Sequence, residues 1–344
     1  MVAGAFLFIM RPFFSIVIAT YNSERTLEYT LQSIRDQNFN QEELEILIVD
    51  GGSTDGTLDL ARKYGAKVYS NPHRLPEYAK AIGHRYASGR YLMRMDSDEE
   101  FSYKDQLADK KKFYLQHTEI KVLISNAIVY GRKDICGIAA SYMNILGDPF
   151  SYFMYNTKEN KCATYKKNIV DDQDGQVIMR FKKGDRFPLA DSATCSYSLD
   201  YIKENYPDEY CSINFVCNTY DRIMDDTGVC GCIRKDYIKH NCSSSLNTYL
   251  KKLKFRVINN VFHKEESGFS SKSGKNDNKK IVFFMLYALI VPLPILDSVR
   301  LMLKYRDWTF GLHFVYLYYV FIQIMGCYYL KLIGKTMKND IYGK

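Results

Sequence analysis

The chain has 344 residues, of which 47% are hydrophobic and 25% are charged. These fractions exclude an intrinsically disordered chain and a polytopic membrane protein, and the length predicts two domains of about 150 residues each. Of the 47 basic and 39 acidic residues, 19 and 7 lie in residues 231–344. A basic end that also contains long apolar runs favours an anionic membrane surface over nucleic acid, and no nucleic-acid-binding module is recognised.

The cysteines and the first residues indicate the compartment. Nine cysteines are scattered without a C-x-x-C pair, and residues 1–10 lack the charged region and cleavage site of a secretory signal. We therefore expect reduced thiols in a cytosolic compartment.

Residues 13–95 alternate short β-rich runs with helical patterns, which is typical of a parallel sheet with crossover helices. The predicted strands are Phe14–Ala19, Glu45–Asp50, Lys67–Ser70 and Tyr91–Met95. The predicted helices are one with Leu27, Leu31 and Ile34 on a single face, then Leu58–Tyr64 and Pro76–Ala87. The sequence thus predicts an α/β layered sandwich.

Beyond Glu100 the pattern is less regular. A charged helix is predicted at Tyr103–His117 and a strand at Lys121–Tyr130, and the following lobe has no assignable elements to about residue 275. A polar, basic linker at 271–280 precedes two apolar segments, Ile281–Val299 and Thr309–Gly334.

The two apolar segments predict membrane contact. Thr309–Gly334 has the length of a spanning helix with a tyrosine-rich flank. Ile281–Val299 contains Pro292, Pro294 and Asp297, so it either spans the bilayer or lies broken at its interface. The alternative is that both segments are core helices of a soluble domain.

Polar residues follow the first two strands. Thr20 and Tyr21 follow the first strand, and Asp50 and Ser53 end and follow the second. Ligands of open α/β sheets bind outside the carboxyl ends of strands, and an Asp carboxylate can accept hydrogen bonds from a base or ribose. The alternative interpretation is that Ser53 or Asp55 caps the next helix.

A second acidic cluster, Asp96-Ser97-Asp98, follows the fourth predicted strand. On an extended segment the two carboxylates point to one side and Ser97 to the other. Paired carboxylate oxygens suit Mg²⁺ or Mn²⁺ and leave coordination positions for a diphosphate. The alternative is a solvated acidic loop.

In this order, FSIVIATYN, EILIVDGGSTDGT and AKAIGHRYASGRYLMRMDSDE resemble the nucleotide-sugar-binding half of family 2 glycosyltransferases over about residues 13–101. The resemblance implies an α/β sandwich of the GT-A type, to which the apolar segments add C-terminal membrane-associated helices. It also implies that Asp96 faces the ribose and the metal and that Asp98 holds the metal. Where the family often has Arg-Asn, this chain has Lys80-Ala81, and Lys80 can supply charge to the diphosphate but not a guanidinium fork. The residues that it implies around base and ribose are Thr20, Tyr21, Glu24, Asp50 and Ser53.

The family also provides a general base near the start of a late helix. Asp225-Asp226 resembles this element, with Asp226 in the base position and Asp191 and Asp221 as rivals. A helix cap is the alternative. His240 is the candidate third metal ligand and His263 its reserve, with a structural or acceptor-contacting histidine as the alternative.

Together these observations predict an inverting, Mn²⁺- or Mg²⁺-dependent glycosyltransferase at the cell membrane, with its catalytic part on the cytoplasmic side. The donor is a nucleotide-diphosphate sugar and the acceptor a lipid-linked or surface glycan. The predicted regions are a nucleotide-sugar-binding part (11–101), an acceptor-binding part (102–270), the basic linker (271–280) and a membrane-associated helical part (281–344). A non-catalytic membrane scaffold and a sugar-phosphate nucleotidyltransferase are the alternatives.

Overall fold

The structure is a computed structural model, and it describes residues 11–155, 159–188, 195–242, 245–262 and 277–337. Two candidate residues from the sequence, Asp191 and His263, lie outside the described residues. So does the greater part of the predicted linker, residues 271–276.

Ten strands form one mixed sheet in the order β3-β2-β1-β4-β9-β6-β10-β8-β7, with β5 paired to β10. The strands are β1 Phe14–Thr20, β2 Leu44–Asp50, β3 Lys67–Ser70, β4 Tyr91–Asp96, β5 Glu99–Phe101, β6 Val122–Tyr130, β7 Ile169–Gln173, β8 Gln176–Arg180, β9 Cys195–Ser198 and β10 Val229–His240. The mixed sheet with its helices confirms the predicted α/β class.

The α-helices differ in length from one turn to more than five. They are α1 Glu24–Arg35, α2 Thr57–Lys63, α3 Pro76–Tyr86, α4 Gln106–Gln116, α5 Ala140–Leu146, α6 Pro149–Tyr155, α7 Lys161–Thr164, α8 Leu199–Asn205, α9 Ile213–Thr227, α10 Leu246–Phe262, α11 Asp277–Leu289, α12 Pro292–Tyr305 and α13 His313–Leu332.

Residues 13–95 fold as the sequence predicts. The four predicted strands coincide with β1 to β4 to within one residue at each end. Leu27, Leu31 and Ile34 are fully buried on one face of α1. Strand β1 pairs in parallel with β2 on one side and with β4 on the other, so these apolar strands form the centre of the sheet.

The second half of the sheet is antiparallel where it joins the first. Strand β9 lies between β4 and β6 and runs antiparallel to both, with Tyr91 opposite Ser198 and Val122 opposite Tyr197. These partners are 107 and 75 residues apart in the chain, which is why the periodicity of the sequence does not reveal them.

The chain divides into two compact units. Unit 1 comprises residues 1–125, 171–179 and 189–236, and unit 2 comprises 126–170, 180–188 and 237–344. All strands that carry the candidate donor residues lie in unit 1. Strands β6 and β10 run from unit 1 into unit 2.

Unit 2 has its own apolar core, built by α5, α10 and the C-terminal helices, with Tyr142, Tyr249 and Tyr316 fully buried in it. The predicted segment Ile281–Val299 is broken rather than continuous: α11 ends at Leu289 and α12 begins at Pro292. Proline at the first helical position lacks an N–H and its ring is incompatible with a preceding helical turn, so it ends one helix and starts the next.

Among the described residues, one helical stretch, Trp308–Leu332, is long and apolar enough to cross a bilayer, with a mean hydropathy of 1.5. One face of α13 is buried in the core of unit 2, as in a core helix of a soluble protein. The span predicted for this segment therefore stays a prediction.

Candidate active site

The carboxyl ends of β1, β2 and β4 bring the candidate residues to one edge of the sheet. Thr20 is paired with Asp50, and Ala19 with Asp96, so the last residues of the three strands are level. Neighbouring strands are roughly 4.8 Å apart, which puts the backbones of Asp50 and Asp96 about two such spacings apart, on either side of β1. The three strand ends thus lie at one edge of the sheet.

Asp50 is buried and organises the loop that follows β2. Its Oδ1 accepts hydrogen bonds from Thr20 Oγ1 at 2.9 Å and Ser53 Oγ at 2.5 Å. Its Oδ2 accepts the backbone N–H groups of Gly52 and Ser53, both at 2.8 Å. Burial raises the pKa of Asp50, but these hydrogen bonds outweigh it and leave the pKa below its usual value. Gly52 has φ +88°, a conformation that favours glycine.

Asn22 joins the loop after β1 to the loop after β2. It has φ 48°, its N–H donates to Ser53 Oγ at 2.8 Å, and its Oδ1 accepts the N–H of Thr54 at 2.8 Å. The sequence places this residue in the polar segment after the first strand but assigns it no role, although asparagine is among the few residues that adopt a left-handed conformation at low cost. The two loops are thus held together by side-chain bonds.

Glu24 adds two further hydrogen bonds to the loop after β2. Its carboxylate accepts the N–H of Gly56 at 3.0 Å, and its own N–H donates to Asp55 at 3.1 Å. Asp55 also accepts the N–H of Thr57, the first residue of α2, at 3.1 Å, whereas the N-cap position of this helix is Gly56. Contact of Glu24 with a nucleotide stays a prediction.

Tyr21 lies at the surface of this edge with 44% of its area exposed. The guanidinium of Arg74 lies 5.5 Å from the centre of its ring. A cation over an aromatic ring is attracted by the electrons of the ring face. Arg74 has φ 60° and was not singled out in the sequence.

The backbone that carries Asp96 and Asp98 differs from the one expected from the sequence. The expected extended segment through Asp98 is wrong: β4 ends at Asp96, and residues 97–98 form a turn into β5. The buried Glu99 accepts the N–H of Asp96 at 2.7 Å, which draws the chain into this turn. The alternation of a strand therefore does not govern where the two carboxylates point. Ser97 Oγ donates to Ser23 Oγ at 3.0 Å, so the turn contacts the loop after β1.

Lys80 lies on α3, half-buried. This helix packs closely on the middle of β1, where Gly83 faces Val17. Because α3 begins at the carboxyl edge of the sheet, Lys80 lies nearer that edge than Gly83 does. On the same helix His84 is fully buried between the Tyr197 hydroxyl at 2.8 Å and the Tyr210 carbonyl at 2.9 Å.

Asp226 lies in the last turn of α9, so the expectation that the acidic pair stands near the start of a helix is wrong. The N-terminus of this helix is capped by Ser212 instead. Tyr201 Oη donates to Asp226 Oδ2 at 3.1 Å, and the hydroxyl of Tyr206 donates to the same oxygen. Burial and this bond to a carboxylate raise the pKa of Tyr201 to about 12.

The sheet gives the approximate position of Asp226. Its partner Tyr201 follows β9, whose last residue, Ser198, is opposite Tyr91 at the first residue of β4. Asp96 is the last residue of β4. Tyr201 therefore lies toward the amino end of β4, whereas the candidate residues for binding the nucleotide sugar lie at the carboxyl end.

His240 ends β10 and belongs to unit 2. Its Nδ1 is 2.8 Å from Asn144 Oδ1, and an Nδ1–H that donates to this amide oxygen leaves the lone pair on Nε2, the atom that could ligate a metal. Among the described residues no three His, Cys, Asp or Glu side chains form a ready-made metal site. Asp96 and Asp98 nonetheless suit Mg²⁺ or Mn²⁺, which binds through one or two carboxylates and takes its other ligands from water and substrate phosphates.

Comparison with known proteins agrees with the resemblance seen in the sequence. Residues 15–118 match the sequence model described as Glycosyl transferase family 2. Poly(ribitol-phosphate) beta-N-acetylglucosaminyltransferase TarS of Staphylococcus aureus is 29% identical over 166 residues, which are 46% of this chain and 29% of TarS. Putative glycosyltransferase EpsE of Bacillus subtilis is 31% identical over 134 residues, 37% of this chain and 47% of EpsE. The matched region thus covers less than half of either relative.

Two solved structures cover nearly the whole chain at low similarity. S. aureus TarS 1-349 in complex with UDP is 18% identical with a TM-score of 0.45, covering 96% of this chain and 95% of that one. Mannosyltransferase PcManGT from Pyrobaculum calidifontis, in complex with GDP-Man and Mn²⁺, is 15% identical with a TM-score of 0.49, covering 92% and 87%. The similarity to the family rests on the sequence match, whose span contains β1 to β4 and the loops described above. Residues 15–118 are thus the part of this chain that is similar to glycosyl transferase family 2.

Proposed function

We propose that the chain is an inverting glycosyltransferase that moves a sugar from a nucleotide-diphosphate donor to a lipid-linked or surface glycan. The observation that carries this proposal is the level register of Thr20, Asp50 and Asp96 at one edge of the sheet. The cross-linked loops after β1 and β2 support it, because a preorganised loop binds a ligand with less entropic cost.

The donor diphosphate is proposed to lie beside the turn after β4. Asp96 and Asp98 would hold a Mg²⁺ or Mn²⁺ ion there, whose charge offsets the negative charge that develops on the departing diphosphate. Lys80, on the helix that starts at the same edge, would attract the diphosphate as a point charge. Tyr21 and Asp50 would contact base and ribose.

The acceptor hydroxyl is proposed to attack the sugar C1 from the face opposite the diphosphate. The C1–oxygen bond to the phosphate breaks, its electron pair leaves with the diphosphate, and a carboxylate takes the hydroxyl proton. Such a base must reach the acceptor beside the donor. The contact of Asp226 with Tyr201, toward the other end of β4, favours a structural role for this residue.

Asp191 is then the proposed base, with Asp221 on α9 as its rival. Strand β9 runs antiparallel to β4, so its first residue, Cys195, lies toward the carboxyl end of β4. Asp191 precedes Cys195 by four residues in the sequence. We expect Asp191→Asn to lower turnover by about 10²–10⁴ with donor binding retained, and Asp226→Asn to keep turnover within a few-fold. The opposite result would assign the base to Asp226.

The place of reaction is proposed to be the cytoplasmic face of the cell membrane. The apolar C-terminal helices and the excess of basic residues in 231–344 support this.

Donor binding is tested by isothermal titration with UDP- and GDP-sugars, with and without Mn²⁺. We expect one nucleotide to bind in a Mn²⁺-dependent manner, and Asp98→Ala to abolish that dependence while the far-UV circular dichroism stays unchanged. A non-catalytic scaffold would bind neither donor, and metal-dependent affinity that is unchanged in Asp98→Ala would refute the metal role.

A further inference from the structure

Helices α11 and α12 expose an apolar face that water does not favour. On α11, Val282, Phe283, Leu286 and Leu289 recur at helical spacing, each at least 50% exposed. The opposite face of α11 is buried in the core of unit 2 through Phe284 and Ala288. Exposed apolar surface in a continuous patch marks an interaction site more often than a single exposed side chain does.

Helix α12 likewise has one exposed apolar face and one buried face. Leu293, Leu296, Val299 and Leu303 lie on one face with exposures of 41%, 64%, 48% and 75%. Pro294, Ser298 and Leu301 lie on the buried face. Ile290 and Val291, which join the two helices, are also about half exposed, so apolar side chains continue through the bend.

The bend is fixed by contacts within unit 2. The Tyr287 hydroxyl on α11 donates to Asp297 Oδ2 on α12 at 3.2 Å, and the Tyr318 hydroxyl on α13 donates to the Ala288 carbonyl at 2.7 Å. The ring of Phe153 on α6 lies 5.1 Å from that of Tyr287. The exposed face is therefore formed before any partner binds.

The geometry restricts how this face can meet a bilayer. Val282–Leu289 and Pro292–Tyr305 are bent by 92° relative to each other. At 1.5 Å per residue the longer limb is about 21 Å long, whereas the hydrocarbon core is about 30 Å thick. Neither limb can cross the bilayer alone, and the bend prevents the pair from crossing as one straight helix.

Charge favours an anionic lipid surface as the partner. Residues 277–337 contain seven basic and three acidic residues. On α12 the side chains of Arg300 and Lys304 are 66% and 48% exposed next to the apolar face, and each also pairs with a carboxylate, Arg300 with Asp297 at 2.6 Å and Lys304 with Glu159 at 3.1 Å. A second copy of this chain would bring like charges together across a two-fold axis, whereas anionic headgroups attract them.

We propose that α11 and α12 form a docking element that inserts its exposed apolar side chains into one leaflet of an anionic lipid bilayer without crossing it. This deepens the membrane part of the proposed function. The test uses neither donor nor acceptor, so a failure of docking is distinguished from a failure of glycosyl transfer.

Vesicle flotation of the purified full chain tests the docking. We expect the chain to float with vesicles of phosphatidylglycerol and phosphatidylcholine, and less with phosphatidylcholine alone. The vesicle affinity of the double variant Leu296→Asp/Leu303→Asp should be lower than that of the parent by about tenfold or more, because two leucine side chains that would enter the bilayer are lost. Leu115→Asp, at a 53% exposed position of α4 in unit 1, is the matched control and should bind as the parent does.

Three results would overturn docking: no flotation of the parent chain, equal flotation of the double variant, or self-association of the parent that the double variant abolishes without any vesicle binding. Because both leucines are largely exposed, the double variant should keep the circular dichroism and unfolding temperature of the parent. A variant that loses its fold is replaced by Leu303→Ser/Leu296→Ser, with the same expected direction.

The depth to which the bend between α11 and α12 enters the bilayer is measured in a separate experiment. The chain has a single tryptophan, Trp308. In a Trp308→Phe background, Ile290→Trp places the only indole at the bend. Quenching by brominated lipids should be strongest with bromines near the headgroup end of the acyl chains. Strongest quenching by bromines at the chain ends, near the bilayer midplane, would contradict an element confined to the surface of one leaflet.

Discussion

The carboxylate of Asp50 accepts four hydrogen bonds, which occupy the four lone-pair positions of its two oxygens. A donor N–H or hydroxyl from a nucleotide therefore has to share or replace one of the present donors. The Thr20 and Ser53 hydroxyls are the donors that can turn away, because the two backbone N–H groups are fixed by the loop. The role predicted for Asp50 in binding the base thus involves the rotation of a neighbouring hydroxyl.

At the residue scale the buried His84 offers a test by pH. Burial, then the charges of Arg94 and Lys80, lower the pKa of His84 from 6.5 to about 3. The unfolded chain takes up a proton below about pH 6.5 that the folded chain refuses. The unfolding free energy therefore has its full value with respect to His84 above pH 6.5. It falls progressively as the pH is lowered toward 3, by at most about 1.4 kcal/mol per pH unit.

Urea unfolding of the parent chain and of His84→Gln at pH 7 and pH 5 measures this effect. The unfolding free energy of the parent should fall more steeply between the two values than that of the variant. His73→Gln, at an exposed position, is the control and should keep the slope of the parent. Equal slopes for the parent and His84→Gln would show that His84 is protonated alike in both states.

The sequence identifies the candidate residues of β1, β2 and β4 because they stand at strand ends, where topology alone decides which edge they share. It does not identify Asn22 or His84 as important, since their roles depend on partners 31 and 126 residues away. It also misplaces Asp226, because a pair of aspartates carries no signal that distinguishes the first turn of a helix from the last.

At the scale of elements, α3 packs against β1 through a glycine. A Cβ added at Gly83 would lie 2.8 Å from Val17 Cγ2 and closer still to Cγ1. Gly83→Ala should therefore destabilise the chain by about 1–3 kcal/mol, since the interior has no room for the added methyl group.

Gly326→Ala is the matched control for Gly83→Ala. Gly326 lies within α13, and a Cβ there would meet nothing within 4 Å. Gly326→Ala should stabilise the chain by about 0.5–1 kcal/mol through helix propensity alone. Thermal unfolding of both variants gives opposite shifts if the close approach of α3 is correct, and a stabilising Gly83→Ala would contradict it.

Elements with local contacts are the ones that the sequence predicts well. Strands β1 to β4 alternate with helices along the chain and occupy neighbouring places in the sheet, in the order β3-β2-β1-β4, so their periodicity is undisturbed. Strand β9 has four residues and is inserted between strands that precede it by about seventy residues or more, which no local pattern encodes. The break at Pro292 was visible as a proline, but whether the segment spans or bends depended on the packing of unit 2.

At the scale of the whole molecule, the proposed donor site and the proposed lipid-docking element belong to different compact units. Thr20, Asp50 and Asp98 lie in unit 1, and α11 and α12 lie in unit 2. Two partners of different chemistry should therefore act on two separate parts of one chain.

Hydrogen–deuterium exchange of the full chain resolves the two effects. UDP with Mn²⁺ should slow exchange in the loops after β1, β2 and β4, where backbone N–H groups line the proposed site, and leave residues 282–305 unchanged. Anionic vesicles should give the reverse pattern, because exposed side chains of α11 and α12 leave water. Asp98→Ala should lose the first pattern and keep the second. Protection of residues 282–305 by the nucleotide alone would mean that this segment contributes to donor binding, and the assignment of one partner to each unit would be wrong.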